Sequence, residues 1–203
     1  MDVAVDFRVL ELLCGRLCHE LVSPVGAINN GVELLDEDDP GFVKEALALI
    51  AQSARTAGRR LQFYRFAYGT GGGAIGSGRE VAQGLLEGGK VRCDWPDAAD
   101  TLPPEWQRLA CNMLVLAAEL LPRGGVVTIA PRGSAGAEVT AEGETVTVAP
   151  ELQTALGDGA GVDGLTPRTV HAFYTARLAQ HLGARLGLVL EHGTRAVLSA
   201  ETR

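Results

Sequence analysis

The stretch Phe7-Arg8-Val9-Leu10-Glu11-Leu12-Leu13-Cys14-Gly15-Arg16-Leu17-Cys18-His19-Glu20-Leu21-Val22-Ser23-Pro24-Val25-Gly26-Ala27-Ile28-Asn29-Asn30-Gly31-Val32-Glu33-Leu34-Leu35 decides how the chain is built. Leu10, Leu13, Cys14, Leu17, Leu21, Ile28, Val32 and Leu35 recur at the three-and-four spacing of one helical face. At about 100° per residue, His19 lies roughly 180° from Leu10, so the core-forming stripe is complete without it. A lone imidazole on the opposite face is available to something that docks from outside.

A second helical pattern follows. The acidic turn Asp36-Glu37-Asp38-Asp39-Pro40-Gly41 ends the first helix, and Pro40 is well placed at the start of the next, with Asp39 as its N-cap. Val43, Leu47, Ile50, Ala54, Ala57, Leu61 and Tyr68 then share one side of a helix over residues 42–68. Two long helices joined by so short a turn must run antiparallel. Their apolar stripe is longer than a lone hairpin can cover, which predicts pairing with a second copy into a four-helix bundle.

The glycine-rich run over residues 69–78 has the composition of a flexible linker. Beyond it helix and strand patterns mix. Helices are predicted over residues 79–86, 103–121 and 166–182. Strands are predicted over 90–95, 125–130, 137–142, 145–149, 185–191 and 194–200, the last two forming a hairpin around His192-Gly193. The fold class is therefore α+β: an N-terminal antiparallel hairpin dimerising into a bundle, followed by an α/β sandwich with helices on one face of a largely antiparallel sheet. The expected boundaries are 1–70 for the hairpin, 71–78 for the linker and 79–203 for the C-terminal domain.

Composition narrows the partners. The chain has 203 residues, 46% hydrophobic and 21% charged, with a net charge of −7. That balance suits a globular protein and argues against nucleic acid, whose phosphates need clustered Lys and Arg. The four cysteines are expected to be reduced and mostly buried. No apolar run approaches the ~18 residues of a membrane span, and no signal sequence is visible at the N-terminus, so a cytoplasmic location is expected.

Around His19 the same angular arithmetic gathers Arg8, Leu12, Gly15, Arg16, Ser23, Gly26, Asn30 and Glu33 within about 60°. Glycine inside a helix costs roughly 1 kcal/mol relative to alanine, so Gly15 and Gly26 suggest close approach by another backbone. Leu12 is expected to be an exposed apolar anchor, and Arg16 a positive charge near an incoming phosphoryl group. Pro24, inside the helix, should kink or loosen it. A neutral imidazole is a nucleophile, and Glu20 is placed to orient the ring or accept its proton. The remaining histidines, His171, His181 and His192, read as surface or capping residues, and no metal site is expected. Cys14-Gly15-Arg16-Leu17-Cys18-His19 is one residue too long for a haem-attachment motif.

His19-Glu20-Leu21-Val22-Ser23-Pro24 resembles the phosphoacceptor motif in the dimerisation and phosphotransfer domain of sensor histidine kinases. The longer run over residues 12–31 is similar to that of the ChpT-type histidine phosphotransferases of alphaproteobacteria. The C-terminal half resembles the ATP-binding domain of those kinases but departs from it where nucleotide chemistry resides. Asn112 is kept, yet Leu116 stands where a second, metal-holding Asn belongs. Pro150-Glu151-Leu152 replaces the adenine-binding Asp. Asp158-Gly159-Ala160-Gly161 comes too late for a phosphate loop, and Leu165-Thr166-Pro167-Arg168 replaces the glycine lid.

The resemblance thus implies a relay without autokinase activity. His19 would accept phosphate from the receiver domain of a hybrid kinase and pass it to response-regulator receivers. No cofactor would be bound by this chain, the Mg²⁺ coming with the receiver. Leu12, Gly15, Arg16, Ser23, Gly26 and Asn30 are the expected docking residues. The alternatives are a sensor-kinase fragment, active or inactive, and a non-catalytic dimeric scaffold.

Overall fold

Asp6 starts the first helix by accepting the Arg8 amide at 2.8 Å, and α1 then runs unbroken over Phe7–Glu33, finishing in a tight turn at Leu34–Asp36. This computed structural model describes residues 6–36, 39–69, 76–133, 135–157 and 159–202. Glu37 and Asp38 of the acidic turn, most of the glycine-rich linker and Asp158 lie outside those residues. Asp39 caps α2 (Pro40–Tyr68) through the Gly41 amide, with Pro40 in the first turn as the sequence predicts. The helices pack so closely that a Cβ on Gly31 would lie 2.6 Å from Ile50 Cγ1. Glycine is required there by contact with the neighbouring helix, whereas at Gly15 and Gly26 a Cβ would meet nothing within 4 Å.

The end of the linker is not linker at all. Ser77 and Glu80 form a capping box that starts α3 (Gly78–Leu86). There follow β1 (Val91–Asp94), a short turn of helix at Asp97–Thr101, α4 (Pro104–Glu119), β2 (Gly125–Pro131), β3 (Gly136–Glu142), α5 (Pro150–Leu156), α6 (Val170–His181), β4 (Ala184–Glu191) and β5 (Arg195–Thr202). The five strands lie in the order β1-β2-β3-β5-β4, with β1 parallel to β2 and the other pairs antiparallel. Register sets Ile129, Val139, Leu198 and Leu188 side by side across four strands. This apolar row joins the core formed with Leu109, Met113 and Leu116 of α4. The β4–β5 turn uses left-handed backbone at His192 and Gly193, φ 51° and 72°.

Three expectations need correction. Residues 145–149 alternate polar and apolar side chains, with Val146 buried and Thr147 exposed, but join no ladder; the Val146 and Thr147 amides donate to the Gly193 and Leu120 carbonyls. One-sided burial produces the alternation, and a sheet needs a free strand edge as well. The segment instead delivers the chain into α5, whose two turns bury Leu152, Ala155 and Leu156. Cys14 and Cys18 are exposed rather than buried, although all four cysteines are free as expected. Finally, His171 is a core residue with no exposed surface.

The hairpin is plugged into the C-terminal domain through the end of α2. Phe63 and Ala67 are fully buried there, and Tyr64, Phe66 and Tyr68 pack against the same core. His171 Nε2 lies 3.0 Å from the Asn112 carbonyl, which only accepts, so this nitrogen carries the proton. His171 Nδ1 is then bare and accepts the Tyr68 hydroxyl at 2.8 Å. Burial, with help from the charge of Arg16, pushes the imidazole down from 6.5 to about 3.

The unfolded chain takes up this proton below its ordinary value and the folded chain does not. Stability is therefore full above about 6.5 and falls as pH drops toward about 3. The loss attributable to His171 is roughly 2 kcal/mol at pH 5. Urea unfolding between pH 5 and 7.5 should show the midpoint rising with pH. A His171→Met variant should be less stable overall but show a flatter profile, and equal slopes in the two proteins would contradict this account.

Candidate functional site

His19 sits near the middle of α1 and is exposed. Two sets of contacts hold the helix on either side of it. On the N-terminal side, α1 rests on the C-terminal domain. Arg8 Nη2 donates to the Leu165 carbonyl at 3.0 Å, and Arg16 Nη1 to the Pro167 carbonyl at 3.4 Å. Arg16 also pairs with Glu119 at the end of α4. Burial alone would lower the Arg16 pKa, but Glu119 more than offsets it and the guanidinium is held above its usual value. At Glu119 burial wins over Arg16, and the carboxyl is pushed upward.

On the C-terminal side the contact is with α2. Pro24 has no N–H to offer the carbonyl four residues earlier, and its ring crowds that carbonyl. The carbonyl belongs to Glu20, and Arg60 Nη1 of α2 donates to it. The same nitrogen stands 3.2 Å from Glu20 Oε2. Tyr64, one turn beyond Arg60, stacks on Tyr68 with ring centroids 6.0 Å apart. Burial, then the nearby Glu20 charge, push its hydroxyl up to about 12. The helix remains continuous through buried Pro24.

The expected docking residues fall into two groups. Gly15, Ser23 and Asn30 are exposed with His19, and Gly26 is half-buried. Leu12 and Arg16 are different from expectation. Leu12 is half-buried against the C-terminal core, and Arg16 is committed to Glu119 and Pro167. Counting angles on an isolated helix leaves out a second domain packed on the same face. Arg60 escaped the sequence reading, although a proline four residues after Glu20 signals an orphaned carbonyl that needs a donor.

The residues of α4 that the kinase resemblance singled out lie in the core. Asn112 is fully buried, its amide nitrogen donating to the Ala67 carbonyl at 3.1 Å and the Arg108 carbonyl at 2.9 Å. Leu116 is fully buried. Glu151, Thr154, Leu165, Pro167 and Arg168 border a recess of about 650 Å³ beside α5. Among the described residues no group of three or more His, Cys, Asp and Glu is arranged to hold a metal. Nor is any described helix long and apolar enough to cross a membrane.

Comparison with known proteins agrees with this geometry. The family model for the histidine phosphotransferase C-terminal domain matches residues 76–194. Protein phosphotransferase ChpT of Brucella abortus (strain 2308) is 36% identical over 199 residues, covering 93% of this chain and 94% of that protein. A solved bacterial phosphotransferase structure superposes with a TM-score of 0.83 at 34% identity, over 98% of each chain. With its hairpin, its sheet domain and its sequence all shared with such proteins, the chain belongs to the ChpT-type histidine phosphotransferase family.

Proposed function

We propose that this protein carries phosphate in a multistep phosphorelay, with His19 as the residue that is phosphorylated. The observation that carries the reading is an exposed imidazole in mid-helix, braced on both sides and contributing nothing to the core. The bare ring nitrogen attacks the phosphorus of a receiver's aspartyl phosphate. A nitrogen–phosphorus bond forms, the phosphorus–oxygen bond to the acyl oxygen breaks, and the electron pair leaves with the receiver's carboxylate. The proton on the ring's other nitrogen goes to solvent. Transfer to a second receiver is the reverse of these steps, and the divalent cation that offsets charge comes with the receiver.

Several features favour a relay over a kinase. Asn112 and Leu116 are both fully buried, so neither side chain is exposed to a nucleotide–metal complex. The donor is a hybrid-kinase receiver and the acceptors are response-regulator receivers. Exposed Gly15, Ser23 and Asn30, with Gly26, border the landing area; Glu20 orients the helix, and Arg16 acts from the domain contact. The protein works in the cytoplasm.

We also infer a homodimer. Leu10 and Val32 of α1 are 48% and 52% exposed, and Leu47 and Leu61 of α2 are both 54% exposed, although all four belong to the apolar stripe. A second hairpin would cover them and complete a four-helix bundle.

Incubation with a phosphorylated receiver domain should label the protein, ATP with Mg²⁺ alone should not, and His19→Ala should abolish the label. Label retained in His19→Ala, or taken from ATP, would overturn the relay. Light scattering should give twice the chain mass for the wild type and a monomer for the Leu47→Glu/Leu61→Glu variant; a wild-type monomer refutes the dimer. Gly15→Leu should leave the melting temperature at or above that of the wild type, since its side chain meets open space. It should nevertheless slow transfer about ten-fold by obstructing the visiting domain. Unchanged transfer in that variant would remove Gly15 from the landing area.

A further inference from the structure

The contact between α2 and the Glu20 turn assigns a role to a residue that the phosphoacceptor motif does not include. Pro24 removes one hydrogen bond from the ladder of α1, and the acceptor left over is the carbonyl of Glu20, the residue after His19. Arg60, forty residues away in sequence, fills that vacancy. It is half-buried, and it engages the Glu20 carboxylate with the same guanidinium nitrogen. A buried or half-buried carbonyl without a donor is costly, and a cationic donor is a strong substitute for an amide. The bond also ties α1 to α2 at the level of the reacting ring.

We propose that Arg60 is the positioning residue of the phosphoacceptor: it supplies the donor that Pro24 lacks and thereby fixes the helical turn that presents His19. The proposal rests on His19 being the phosphorylated residue. Arg60 acts through Glu20 and needs no contact with the phosphoryl group. Holding the carboxylate against α2 also keeps that negative charge paired when an anionic group arrives. In-line transfer is sensitive to small misplacements of the nucleophile, so loosening this turn should slow transfer without weakening receiver binding.

The geometry gives an unusually specific test, because Pro24→Ala restores the missing amide. Arg60→Met keeps the apolar stem and removes the donor. In single-turnover transfer from a phosphorylated receiver, Arg60→Met should lower the maximal rate about ten-fold or more while leaving the half-saturating receiver concentration unchanged. Arg60→Lys, with one compact cation, should recover part of the loss. In the Pro24→Ala background the same Arg60→Met change should cost less than about three-fold, the non-additivity expected of two donors serving one acceptor. Equal losses in the two backgrounds, an effect confined to receiver affinity, or no loss would each overturn the proposal.

Amide hydrogen exchange separates this idea from the function on which it rests. Residues 19–27 should exchange faster in Arg60→Met than in wild type, and the difference should shrink in Pro24→Ala/Arg60→Met. If that pattern appears but wild-type protein takes no phosphate at His19, the contact stands and its role in transfer is refuted along with the relay. If exchange is the same in all variants, Arg60 does not hold the turn and the proposal fails by itself.

Discussion

A single backbone carbonyl organises this molecule. Ala67 lies in the last turn of α2, where helix carbonyls lose their intrahelical partners and the helix dipole is negative. Arg108 Nε and Asn112 Nδ2 each approach its oxygen at 3.1 Å, and the Tyr174 hydroxyl at 3.5 Å. The Arg108 guanidinium also donates to the Tyr174 hydroxyl at 2.8 Å, so the donors form one network. With Phe63 and Ala67 buried beside it and Tyr68 bonded to His171, the hairpin enters the C-terminal domain at a defined angle. That angle lets α1 lie across the end of α4 and the turn before α6, and it sets where His19 stands relative to the rest of the surface.

The same carbonyl accounts for the fate of α4. Here Asn112 is spent on seating α2, and Leu116 is spent on the core under the sheet. A helix whose polar residue donates to backbone carbonyls is built to hold α2 in place. The domain then serves as a brace for the hairpin, and its outer surfaces remain available to visiting proteins.

Much of the local structure was legible from residue spacing. The α1 periodicity, the Asp39-Pro40 start of α2 and the hairpin around His192-Gly193 all depend on neighbours in sequence, and each appears as expected. What escaped depends on distant parts of the chain. His171 reads as an isolated polar residue until Tyr68 and Asn112 enclose it. Leu12 and Arg16 read as open surface until the C-terminal domain is laid against them. Pro24 reads as a place where α1 kinks or loosens, but the guanidinium that answers its missing amide comes from Arg60 of α2, forty residues from the carbonyl it serves. A one-dimensional pattern reports which faces a segment buries; it does not report which partner supplies the other half of a polar bond.

The central claim is that His19 itself carries phosphate between visiting domains. Phosphorus NMR of the protein, isolated after exchange with a phosphorylated receiver, addresses it most directly. The account predicts a phosphoramidate resonance that is stable to base, labile to acid, and discharged when a second, unphosphorylated receiver is added. A spectrum with only acyl phosphate on the receiver and no nitrogen-bound phosphorus on this chain would contradict it.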